Sequence, residues 1–177
     1  MDDQEKPTPA AITAMIINFA LLAGLITFAV IVVFALAPPE PGDADSQPIL
    51  TLMALGLGVS AIIGNFILAG RWKRRAVQAL ASGDLQSAED SKVNSLENAL
   101  VGRYMTGMIL SNALLEGTGF IALTAYMVDG HWMALALVAV ILTVMAAKFS
   151  TPGRVANWVA QVQKDARDLK GFSVSSQ

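Results

Sequence analysis

Residues 10–36 carry no charge at all, and about 27 helical residues at 1.5 Å rise each are enough to cross a roughly 30 Å hydrocarbon layer with tilt. No other feature constrains the fold as strongly. A run of that kind has to satisfy its own backbone polar groups in lipid, which makes it a helix. Further apolar runs follow at 49–70, 104–128 and 132–149. The chain is 54% hydrophobic and only 15% charged over 177 residues, too apolar for a soluble domain of this size. The expectation is an all-α integral membrane protein, a single membrane domain over 1–177 with four transmembrane helices. No cysteine is present, which excludes disulfide frameworks and thiolate metal sites. One histidine, His131, builds no metal cluster by itself. With no phosphate loop, zinc motif or serine elbow in the chain, it is expected to be no enzyme, at most a non-catalytic subunit of an ion-translocating complex, with no cofactor. A net charge of -2 gives no basic footprint for nucleic acid.

The connecting segments set the expected topology. Residues 1–9 are polar and acidic, with Pro7 and Pro9 delaying the first helix. Ala35-Leu36-Ala37 resembles a signal-peptidase site, but an acidic leader, the length of the run and Pro38-Pro39 favour a retained anchor. The connection 37–48 carries Glu40, Asp43 and Asp45 and no Lys or Arg, and the link Asp129-Gly130-His131 has none either. Arg71-Trp72-Lys73-Arg74-Arg75 directly follows the second run and suits an anionic lipid-headgroup layer. The positive-inside rule therefore puts both termini and the long loop 71–103 in the cytoplasm, with a bacterial inner membrane as the expected location. That loop reads as a helical hairpin: residues 76–81 prolong the second helix until Ser82-Gly83-Asp84 breaks it, and Asn94-x-x-Glu97 caps the next. The short link at 129–131 makes the last two membrane helices antiparallel neighbours. Tyr104, Trp132 and Trp72 are expected as headgroup-level anchors, and Lys148 is expected to snorkel to the interface. In the tail, 150–170, Val155, Trp158, Val159, Val162 and Leu169 share one side, while Lys164, Asp165, Arg167, Asp168 and Lys170 take the other. This predicts an amphipathic helix lying on the membrane interface.

Within the third run stands one carboxylate, Glu116. An acidic side chain at a helix centre costs about 2.5 to 3.5 kcal/mol to insert, so it normally has a partner or a task. Asn112 and Gly119 share its helix face, and the Asn112 amide is placed to bond the carboxyl. Two roles stay open from the chemistry: a proton carrier, or neutral glue between helices with Asn18 or Asn65 as partner. On the second run Gly56, Ser60 and Gly64 recur at i+4, a stripe that lets a neighbouring backbone approach closely.

The stretch Thr106-Gly107-Met108-Ile109-Leu110-Ser111-Asn112-Ala113-Leu114-Leu115-Glu116 resembles the carboxylate-bearing helix of the ATP synthase proteolipid, subunit c. The second run, with Gly56, Gly58, Ser60 and Gly64, is similar to the glycine-rich first helix of that family. The resemblance covers this hairpin, and the chain has one further apolar run on each side of it. It implies that Glu116 is the proton-binding carboxylate, that the small residues are the helix-packing stripe, and that the chain joins a homo-oligomer or larger membrane complex. From a different class comes a scaffold or accessory membrane protein, held by its small-residue stripes and with Glu116 structural. Four-span exporters that use one membrane glutamate carry it in the first helix, where this chain has none.

Overall fold

The computed structural model describes residues 9–36, 48–83, 94–149 and 151–174. Among these there is no strand. Five α-helices follow in order: α1 (Pro9–Val30), α2 (Ile49–Ala81), α3 (Asn94–Asp129), α4 (Trp132–Ala147) and α5 (Pro152–Val174). α1 opens on a proline, whose missing N–H is no loss in a first turn, and ends in a π-helical turn, Ile31–Ala35. α2 ends where Gly83 takes a left-handed φ of 82°, a conformation glycine adopts without steric cost. Gly130 does the same after α3, at φ 66°, and the His131 ring then accepts the Met133 N–H at the start of α4. The helix expected after 94 does begin at Asn94, while the side chains of 94–97 and the segments 1–8, 37–47 and 84–93, with their expected acidic loop and loop charges, lie outside the described residues.

Three helical segments are long and apolar enough to cross a membrane: Ile12–Ala35, Ile49–Ala81 and Asn98–Asp129. The fourth apolar run is shorter than expected. Its helix stops at Ala147, where the Lys148 N–H turns back onto the Val144 and Ala146 carbonyls, and its 16 residues amount to about 24 Å.

The described residues group into two compact units. The first comprises residues 17–36, 48–67 and 109–149. Its interior joins α1, α2, α3 and α4 through Leu25, Ala54, Leu115, Leu123, Ile141 and Met145, each at most 1% exposed. Phe28 and Phe120 meet edge to face at 5.1 Å. Its outer surface is apolar as well, with Phe19, Ile49 and Phe66 each about 60% exposed, as lipid-facing positions are. At one end the Asp129 carboxylate accepts the Thr51 N–H at 2.7 Å, so an acid from α3 caps the first turn of α2, a favourable place for negative charge.

The second unit comprises residues 9–16, 68–83, 94–108 and 151–174, and it overturns the expectation for the tail. α5 does not offer its apolar face to lipid. Val155, Val159, Val162 and Ala166 are buried against Ala76, Val77 and Leu80 of α2 and Leu100 and Val101 of α3. The Trp158 ring lies 5.3 Å from that of Tyr104. Only Leu169 of the expected stripe stays exposed. The physical reason is that the prolonged ends of α2 and α3 carry apolar residues at helical spacing, and they offer α5 a protein face to cover.

Candidate functional site

α3 carries Glu116 just past the edge of its buried face, between buried Leu115 and half-buried Phe120. Facing it on α1 is Gly24: a Cβ built there would come within 3.3 Å of Glu116 Oε1. The carboxylate thus lies close to the α1 backbone at Gly24, where an added Cβ would require it to shift by a few tenths of an ångström. Glu116 itself is half-buried and has no hydrogen bond or ion pair with any described residue.

The amides expected near it are engaged elsewhere. Asn112, one turn before Glu116, donates through Nδ2 to Asn18 Oδ1 on α1 at 2.6 Å, with both side chains 1% exposed. The Asn112 amide is therefore turned to Asn18 and not to the carboxyl, which corrects the sequence expectation. Asn65 of α2 donates through Nδ2 to the Ser111 carbonyl of α3 at 3.0 Å. Its Oδ1 accepts a hydrogen bond from Lys148 Nζ, which also sits 4.5 Å over the Phe66 ring, a cation–π contact. Lys148, expected near the interface, makes these contacts on α2 from just past the end of α4. Lys148, Asn65, Ser111, Asn112 and Asn18 together tie all four helical segments of this unit by polar contacts, and Glu116 stands outside that chain.

The small residues divide. A Cβ on Gly58 would fall 2.6 Å from Leu137 of α4, and one on Gly119 2.8 Å from Leu25 of α1, so at both positions a side chain of the neighbouring helix fills the glycine's place. Gly64 is half-buried, with Leu114 at 4.0 Å. Gly56 and Ser60 are exposed, nothing lies within 4 Å of a Cβ on Gly56, and the Ser60 hydroxyl bonds the Gly56 carbonyl on its own helix. Of the small residues expected to pack, Gly58 and Gly119 thus make the close helix contacts, while Gly56 and Ser60 lie on the other side of α2, since two residues along a helix turn a position to nearly the opposite side.

The cationic run divides too. Arg71, Arg74 and Arg75 are exposed, whereas Lys73 pairs with Asp165 of α5 at 3.0 Å. Trp72 packs on Gly107 of α3 and its buried indole N–H has no partner, so it is a packing residue of this unit more than a headgroup anchor.

No family model, curated protein or solved structure matches this chain. The chemistry open to the site follows from its own residues: one carboxyl group held against glycine backbone in an apolar unit, able to take up and release a proton without breaking an internal hydrogen bond. Sequence reasoning passed over Gly24, the bond from Lys148 to Asn65 and the cap made by Asp129. For Gly24 the signal was present, a lone glycine midway along an uncharged run.

Proposed function

We propose that this chain is a small four-span subunit of a bacterial inner-membrane assembly, a homo-oligomer or a larger complex, with both termini in the cytoplasm and Glu116 as a proton-binding carboxylate. The observation that carries the proposal is that Glu116 has no hydrogen-bond or ion-pair partner among the described residues. Glue between helices is supplied by Asn18, Asn65, Asn112 and Lys148, so the cost of inserting an acid is not repaid by a structural bond. A group that has to gain and lose a proton benefits from such an arrangement, because neither form is locked. The resemblance of residues 106–116 to the proteolipid helix supports the same assignment, and the Lys/Arg-free connections 37–48 and 129–131 support the topology.

The test is chemical modification of the full chain in native membranes with a hydrophobic carbodiimide, which takes the protonated acid. The expected outcome is an adduct at Glu116 that fades as pH is raised. It should be weakened by Gly24→Val, whose side chain intrudes on the carboxyl, and should be absent in Glu116→Gln, whose assembly no longer couples protons. Absence of an adduct at every pH, or full proton coupling in the Gln protein, overturns the proposal. In that event the scaffold reading stands, favoured by the apolar cluster that α5 forms with α2 and α3.

A further inference from the structure

The two sides of α2 within the second unit do different work. Trp72, Lys73, Ala76, Val77 and Leu80 are spent on contacts with α3 and α5. Arg71, Arg74 and Arg75 occupy the other side, exposed, and none of them forms an ion pair with a described residue. From this division we propose that Arg71, Arg74 and Arg75 form a binding surface for anionic phospholipid headgroups, independently of what Glu116 does.

Their spacing, i, i+3 and i+4, brings side chains to one patch of a helix, with Cβ atoms about 5–6 Å apart. Three cations on one patch of a helix form a local positive surface that attracts lipid phosphate, each contributing through its charge. The occupant is lipid and not an acidic protein segment because of where the patch begins. Arg71 is the first charged residue after the uncharged run 49–70, on a helix long and apolar enough to cross a membrane. A cation immediately beyond such a run surfaces at headgroup depth. The other candidate for a lipid contact, α5, has its apolar face covered by protein. Lys73, though part of the same run in sequence, belongs to Asp165 and is excluded from the surface.

The experiment uses the full chain, delipidated in mild detergent and offered phosphatidylglycerol, phosphatidylcholine or inorganic phosphate, with bound molecules counted by native mass spectrometry. Phosphatidylglycerol is expected to be retained in preference to phosphatidylcholine, and millimolar phosphate is expected not to displace it. Replacing Arg71, Arg74 and Arg75 together by Gln is expected to lower phosphatidylglycerol affinity roughly hundredfold, from about fivefold per cation near a headgroup. Lys73→Gln is expected to stay within about twofold, since its charge is already paired. Replacing the three arginines by Lys checks the fold and is expected to keep most of the binding. Equal retention of both lipids, unchanged affinity in the triple Gln protein, or displacement by free phosphate overturns the proposal. So does loss of a copurifying acidic protein from the triple Gln chain while its lipid binding is unaltered.

Discussion

Asn18 and Asn112 bond one another inside an apolar unit where each would otherwise be a buried amide without a partner. Replacing Asn112 by Leu strands the Asn18 side chain, and an unsatisfied buried amide costs about 1–3 kcal/mol. Replacing both by Leu removes the need along with the bond, so the double variant is expected to lose less stability than the two single losses added. Interhelical hydrogen bonds in membrane proteins average roughly 0.6 and reach about 1.7 kcal/mol by double-mutant cycle, and the coupling is expected within that range. Reversible unfolding of the full chain in dodecyl sulfate measures it, and strictly additive losses would remove the pair from the list of structural bonds. Glu116→Gln in the same assay is expected to shift stability by less than about 0.5 kcal/mol, because no described residue bonds the carboxyl and such changes away from buried contacts are small.

α5 shows how far a helix can be understood from its pattern. That residues 150–170 alternate apolar and charged sides is plain in the sequence, and so is the helix they form. What covers the apolar side is not, since periodicity names a face without naming its partner; Ala76, Val77, Leu80, Leu100 and Val101 read as unremarkable stretches of two other helices. The same gap explains α2: Gly56, Gly58, Ser60 and Gly64 were legible together as small packing residues, but that Gly58 is the one filled by a neighbour depends on where Leu137 arrives. It also explains the site: Glu116 was legible as the only charge in its run, but Gly24 opposite it required the third dimension. The structure predicts that Val162→Asp drives α5 off its neighbours, because a carboxylate at a fully buried position costs well over about 3 kcal/mol. Asp165→Asn, by contrast, breaks a pair whose side chains are 36% and 44% exposed and is expected to cost less than about 1 kcal/mol. Hydrogen exchange along α5 reads both, and a Val162→Asp chain with wild-type protection there would contradict the packing assigned to this helix.

At the scale of the whole chain, the number of crossings decides where the tail lies, and α4 is the helix on which it turns. Its 16 residues give about 24 Å, roughly 6 Å short of a typical hydrocarbon layer, and such a mismatch costs only fractions of a kcal/mol per Å through local thinning of the bilayer. Trp132 stands exposed at its start and Lys148 just past its end, the kinds of residue that fix a short helix between two interfaces. The absence of cysteine makes the consequence directly measurable with single substitutions. Ala44→Cys is expected to react with a membrane-impermeant maleimide on intact cells, while Ser87→Cys and Ser176→Cys are expected to react only in inverted vesicles. The pair 87 and 176 is the informative one. If both α3 and α4 cross, an even number of passages separates the two positions and they label from the same side. If α3 crosses and α4 does not, Ser176→Cys labels with Ala44→Cys from outside, and the tail lies on the far side of the membrane from the arginines of α2.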